Sequence, residues 1–117
     1  MDLEVWKLSK EFAKKIYLLT NQFPDYERYG LTQQIRRAAV SVMSNIAEGS
    51  ARRSAAEFCR FINMASGSLC ELESQLMLAI DLNYGMPDTI NSTLEKADRI
   101  SKMLYALHRS LSNAKTA

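Results

Sequence analysis

Four stretches of the chain place an apolar residue at every third or fourth position, the spacing that puts side chains on one face of an α-helix. The first runs from Leu3 to Phe23 with lysines and glutamates between its apolar positions, and the others follow Leu31, Ser54 and Pro87. The third stretch has the most regular stripe: Phe58, Ile62, Ala65, Leu69, Leu72, Leu76 and Ala79. The pattern predicts four amphipathic helices.

Several local signals predict where these helices begin and end. Thr32 is a candidate N-cap for the second helix, and Gly49 is placed to end it in the left-handed conformation. Ser54 and Glu57 have the spacing of a capping box, which predicts the start of the third helix. Gly67 lies inside that helix among small residues, which predicts a close approach of another helix.

The third helix is expected to end near Asn83, and Asp88 or Thr89 is the expected cap of the fourth. All three connections are short, so consecutive helices are predicted to run antiparallel as neighbours. The expected fold is an all-α, up-down-up-down four-helix bundle formed by residues 1–117 as one domain, a length that suffices for one core.

The chain has no apolar run of about 18 residues and no basic region followed by an apolar stretch at its N-terminus. Cys59 and Cys70 are eleven residues apart on one expected helix and cannot bridge each other. These features predict a cytoplasmic protein with reduced cysteines and no membrane association.

The third helix carries more apolar residues than one seam requires. The additional ones on helices two and three are Cys59, Cys70, Met77, Ile80, Phe61, Met64, Leu78, Val40 and Met43. Such a surface predicts self-association, and the alternative is a wide core within one chain.

Charge is distributed unevenly along the chain. Residues 28 to 60 hold six arginines against two glutamates, a local charge of +4, whereas residues 71 to 98 hold six acidic residues against one lysine, a local charge of −5. The six arginines are Arg28, Arg36, Arg37, Arg52, Arg53 and Arg60. Because guanidinium groups grip phosphates and stack on bases, this region is the candidate nucleic-acid-binding site. The alternative is that the arginines pair with acidic residues of the same or a neighbouring subunit.

Other residues give weaker signals. Trp6, Tyr26 and Tyr29 are able to stack on bases, although packing explains them as well. Asn45 with Glu48 is interpreted as a polar contact on one helical face, and His108 as a helix-surface residue. No catalytic set, phosphate-cradling loop or metal-ligand spacing is found, so a non-enzymatic protein without cofactor or metal is expected.

Four motifs resemble one protein family. They are Val5-Trp6-Lys7, Gln34-Ile35-Arg36-Arg37-Ala38-Ala39-Val40-Ser41, Ser44-Asn45-Ile46-Ala47-Glu48-Gly49 and Glu71-Leu72-Glu73-Ser74-Gln75-Leu76. In this order they resemble the bacterial 23S rRNA intervening-sequence proteins. Met43 stands where that family often has proline, so the kink that a proline would give helix two is not expected here.

The resemblance implies a four-helix bundle that assembles into a ring-shaped homopentamer and has no assigned catalytic activity. It also implies a fold shared with the accessory variability determinants of diversity-generating retroelements, which bind nucleic acid together with a reverse transcriptase. Two hypotheses follow: an oligomeric bundle that binds RNA or DNA through an arginine-rich belt, or a protein-interaction scaffold or accessory subunit of a nucleic-acid enzyme such as a reverse transcriptase.

Overall fold

The computed structural model describes residues 3–116, with side chains through Asn113, and this part of the chain is helical and contains no strand. Helix α1 spans Glu4–Thr20, α2 spans Leu31–Ser50, α3 spans Ala55–Asp81 and α4 spans Pro87–Thr116. A short 3₁₀ helix, Asp25–Glu27, lies between α1 and α2. The four helices expected from the apolar spacing are confirmed. α2 is continuous through Met43, as the missing proline predicts.

Each helix packs against two neighbours within residues 3–116: α1 and α3 each pack against both α2 and α4. Along the α2–α3 interface, Gln75 donates to Gln34 at 3.4 Å and the Ser41 and Ser68 hydroxyls lie 2.9 Å apart. The body is elongated, 50 × 23 × 21 Å. A side chain at the start of α2 is therefore far from one at its end.

The core lies between the apolar faces of the four helices. The α3 stripe is buried from Ile62 to Ala79, and only its first member, Phe58, is half-buried. Ile16, Ile35 and Leu104 are fully buried on the other helices. The expected core is thus confirmed, because an apolar stripe of this width is stable only when another helix covers it.

The start of α2 differs from the expectation. Thr32 is buried within the helix and does not cap it. Instead, Glu27 Oε1 accepts the backbone N–H of Leu31 at 3.1 Å, which satisfies one of the first amides of the helix. Gly49 also lies inside α2 and is buried, so its predicted role as a left-handed C-cap is wrong.

At α3 the predicted cap is confirmed, since Ser54 Oγ accepts the Glu57 backbone N–H at 3.1 Å. The α3–α4 turn takes positive φ at Asn83 (60°) and Gly85 (69°). Pro87 is the first residue of α4, a position that favours proline, so neither Asp88 nor Thr89 is the cap.

The additional apolar residues divide into two sets. Cys59 and Phe61 are buried within the chain, and Met43 and Ile80 pack against its core. The exposed members are Val40, Met64, Cys70, Met77 and Leu78. Cys59 and Cys70 are unbridged, as predicted. Over the described ranges no helix is both long and apolar enough to span a bilayer.

Candidate nucleic-acid interface

The six candidate arginines form two groups at opposite ends of α2. Arg28, Arg36 and Arg37 lie at its start, and Arg52, Arg53 and Arg60 lie beyond its end, on the α2–α3 connection and the first turns of α3. The fifteen residues from Arg37 to Arg52 correspond to about 22 Å at 1.5 Å per residue. One chain therefore does not bring the six guanidinium groups together.

Arg36 is held by the end of α1. Its Nε donates to Thr20 Oγ1 at 2.8 Å, and its Nη2 donates to Asn21 Oδ1 at 2.9 Å and to the Tyr17 carbonyl at 3.2 Å. The guanidinium also lies over the Tyr17 ring, 4.7 Å from its centroid. A cation at a helix C-terminus satisfies the last carbonyls and the helix dipole, so Arg36 ties α2 to α1.

A surface cleft opens beside Arg36. It has a volume of about 330 Å³ and is lined by Tyr17, Arg28, Tyr29, Gln33, Arg36 and Arg37. We call it the tyrosine–arginine cleft. Arg28 and Arg37 are exposed and make no ion pair with any residue of the described ranges. The first arginine group is therefore brought together, with one guanidinium fixed and two available to a ligand.

Tyr29 is the most exposed aromatic residue in the cleft, at 84%. The other two aromatic candidates have partners, since Tyr26 meets the edge of Tyr84 at a centroid distance of 6.3 Å and Trp6 packs against the core beneath Lys10. The sequence pattern did not indicate Tyr17 and Gln33 as lining residues of the cleft. The signal for Tyr17 was an aromatic residue on the polar face of α1.

Glu27 anchors the loop that carries Arg28 and Tyr29. Its Oε2 accepts the Tyr84 hydroxyl at 2.8 Å while Oε1 accepts the Leu31 amide. The Leu31 amide, followed by the Tyr84 hydroxyl, lowers the pKa of Glu27. The loop is thereby joined to both α2 and the α3–α4 turn.

This anchor predicts a pH dependence. Because the pKa of Glu27 is lowered from 4.5, its contribution to stability is complete above that value and is lost as pH falls through the lowered pKa. We expect Glu27→Gln to lower the thermal midpoint at neutral pH, with the gap to wild type closing in acid, when melting is followed by circular dichroism between about pH 3 and pH 7. Glu95→Gln, an exposed carboxylate on α4, is the control. A gap that is constant throughout would contradict the role given to Glu27.

Two of the three arginines in the second group lie over Phe61. The guanidinium carbons of Arg52 and Arg60 lie 4.8 and 5.0 Å from the centroid of this buried ring. Arg60 also forms an exposed ion pair with Glu57 at 3.4 Å. Arg52 and Arg53 are exposed and have no acidic partner among the residues with described side chains. Two guanidinium groups thus lie over the same ring at the surface, and Arg53 follows Arg52 on the connection between α2 and α3.

The remaining polar candidates have local partners. The Asn45 amide donates to the Ser41 carbonyl at 2.9 Å and to its hydroxyl at 3.0 Å, so its contact is with Ser41 and not with Glu48. His108 is half-buried, and its Nδ1 lies 3.4 Å from the Ser112 hydroxyl. Among the described residues no group of three or more histidine, cysteine or acidic side chains is placed to hold a metal ion.

These observations define an all-helical protein with a basic, tyrosine-lined cleft at one end of α2 and an arginine cluster at the other. The chain belongs to the 23S rRNA-intervening sequence protein family, whose model matches residues 1–106. The family resemblance read from the motifs is confirmed. No curated protein matches the sequence.

A solved structure supports the same placement. It is the crystal structure of a protein of unknown function from the S23 ribosomal protein family of Bacteroides thetaiotaomicron VPI-5482. The two chains superpose with a TM-score of 0.79 at 29% sequence identity, over 89% of this chain and 97% of the other. The similarity therefore extends over nearly the whole fold.

Proposed function

We propose that this chain is a non-enzymatic cytoplasmic protein, an antiparallel up-down-up-down bundle that self-associates into a ring and binds nucleic acid through its exposed arginines. The tyrosine–arginine cleft is the observation that carries the proposal. Three guanidinium groups and two phenol rings share one cleft. Phosphates and bases are the ligands that such a combination recognises best.

The cluster around Phe61 supports the same function. Arg52 and Arg60 lie over one ring and Arg53 follows Arg52 in the sequence, yet of these three only Arg60 has an acidic partner within the described part of the chain. Like charges held this close repel each other, and a polyanion relieves that repulsion. The family name, which refers to an intervening sequence of 23S rRNA, agrees with a nucleic-acid partner.

Self-association multiplies the number of arginine groups that one nucleic-acid strand can contact. Met64, Met77 and Leu78 on α3 are 42%, 55% and 48% exposed, and Val40 on α2 is 39% exposed. Covering these side chains with a second copy removes apolar surface from water. Each added copy repeats both arginine groups, so that weak individual contacts with one phosphate backbone sum to a high avidity.

Salt dependence tests the binding. A labelled single-stranded RNA is titrated with the protein at about 50 and 200 mM salt, and if four phosphates are neutralised per copy the affinity should fall by about 50-fold, because each neutralised phosphate releases counterions. The double variant Arg28→Gln/Arg37→Gln should weaken binding and flatten this slope.

The matched control is Lys15→Gln/Arg99→Gln, which removes two positive charges from the groove between α1 and α4. Under the proposal this control keeps an affinity close to that of the wild type. Absent binding, binding that does not change with salt, or equal losses in both double variants would remove the arginine interface.

The exposed methionines and leucine on α3 also favour a second candidate, a scaffold for a protein partner such as a nucleic-acid enzyme. Charge reversal at Arg52 and Arg53 distinguishes the two. If the arginines bind nucleic acid, the assembly seen by sedimentation should persist while RNA affinity drops. If they serve protein contacts, the assembly or the partner complex should dissociate.

A further inference from the structure

We propose that the tyrosine–arginine cleft takes an unpaired nucleotide, with its base stacked on Tyr29 and its phosphates held by Arg28 and Arg37, so that the protein prefers single-stranded to duplex nucleic acid. This inference rests on the proposed function and gives the cleft a ligand. The volume of about 330 Å³ lies at the small end of the range for ligand pockets, which suits one nucleotide unit.

The exposure of Tyr29 is the first observation. Arg36 already lies over Tyr17, 4.7 Å from its centroid, so of the two rings that line the cleft Tyr29 has the unoccupied face. At 84% exposure that ring is hydrated. A base that stacks on it displaces this water, and all four bases have a suitable face.

The arrangement of charge is the second observation. Arg36 is immobilised by its bonds to Thr20, Asn21 and the Tyr17 carbonyl, and it gives the cleft a permanent positive wall. Arg28 and Arg37 are exposed and able to reorient around a phosphate. This loop carries two carboxylates. Glu27 accepts the Leu31 amide and the Tyr84 hydroxyl, and the exposed Asp25 lines a neighbouring pocket with Arg28 and Arg36 but does not line the cleft. The side chains that line the cleft therefore carry only positive charge.

Nucleic-acid structure supplies the reason for strand preference. In a duplex the base faces are stacked on each other and only edges and backbone are accessible, whereas unpaired bases can be stacked on aromatic side chains. A duplex would reach Arg28 and Arg37 but leave Tyr29 uncovered. Gln33 adds an amide at the wall of the cleft, able to donate to and accept from a base edge.

The test compares one labelled RNA strand with its duplex by fluorescence anisotropy at a single salt concentration. Wild type should bind the single strand more tightly. Tyr29→Ala should weaken single-strand binding by about 5- to 150-fold, the usual range for one base–aromatic stack, and leave duplex binding unchanged. Tyr29→Phe should retain the wild-type affinity because it keeps the ring. Tyr105→Ala removes a tyrosine that is 70% exposed on α4, outside the cleft, and is the control.

The outcomes separate this inference from the proposed function. If wild type binds RNA with the expected salt slope but Tyr29→Ala binds the single strand as well as wild type does, or if the duplex binds more tightly, the unpaired-nucleotide site is wrong and the arginine interface stands. If wild type binds neither form at any salt concentration, both fail. The thermal midpoint of Tyr29→Ala should match wild type, since the side chain is exposed.

Discussion

Replacing Gly49 by alanine should destabilise the protein, whereas the same replacement at Gly67 should stabilise it. A Cβ at Gly49 would lie 2.7 Å from Phe61 Cβ and 2.9 Å from Phe58 Cδ1, closer than real Cβ contacts. Phe61 Cβ is attached directly to the backbone of α3, so relief requires the two helices to separate. Overpacking of this kind costs about 1–3 kcal/mol, which exceeds the gain of up to about 1 kcal/mol that alanine brings to a helix.

Gly67 provides the matched control because it lies in the middle of α3 and is exposed, and a Cβ added there would meet no neighbouring side chain within 4 Å. There the helix propensity acts alone, and the free energy of unfolding should rise by about 1 kcal/mol. Urea unfolding at one fixed protein concentration measures both variants, since the proposed self-association would make stability depend on concentration. Two shifts of the same sign would contradict the close approach of α2 and α3 at Gly49.

The two glycines also show what the sequence could predict. The period of the apolar residues predicted the four helices and the α3 stripe correctly, because that period follows from helix geometry alone. The roles predicted for both glycines were wrong, because Gly49 lies where α2 and α3 approach closely and Gly67 has no neighbour within 4 Å of an added Cβ. Gly49 precedes polar residues typical of a loop, and Gly67 lies among small residues typical of a close approach. Only the position of Phe61 on a neighbouring helix decides which glycine is crowded.

The same distinction applies to the candidate interface. A count along the chain found all six arginines, but not that Arg36 is bound to the end of α1 or that the others lie in two groups. Tyr17 was missed because its contribution depends on α1 ending beside the start of α2. Likewise, the cap of α2 comes from Glu27, four residues before the first helical residue, instead of the adjacent Thr32.

The separation of the two arginine groups determines how a continuous arginine-rich belt could be built. Arg37 lies on α2 and Arg52 lies two residues beyond its end at Ser50, a separation of about 22 Å at the helical rise per residue. A continuous basic path within one chain would have to cross the surface of α2 between the two groups, where Val40 and Glu48 are exposed. In an assembly, the gaps between groups depend on how neighbouring copies pack. The exposed apolar residues of α3 are therefore as important to the proposed function as the arginines.

Arg36→Met should lower the free energy of unfolding by about 2 kcal/mol, the effect of losing hydrogen bonds from a charged donor at a partly exposed position. Methionine keeps an unbranched chain but donates nothing to Thr20, Asn21 or the Tyr17 carbonyl. Arg37→Met, at the exposed neighbouring position, should leave stability within about 0.5 kcal/mol of wild type. Urea unfolding measures both.

RNA titrations on the same two variants separate the contribution of each arginine to stability from its contribution to RNA binding. Arg37→Met removes a guanidinium that is free to contact a phosphate, so it should reduce the salt slope by about one phosphate equivalent. Arg36→Met should leave the slope nearly unchanged but lower the midpoint of unfolding, because the Arg36 guanidinium is already bonded to α1. If Arg37→Met proved equally destabilising, or if Arg36→Met unfolded at the wild-type midpoint, the division of the cleft into one structural arginine and two binding arginines would be wrong.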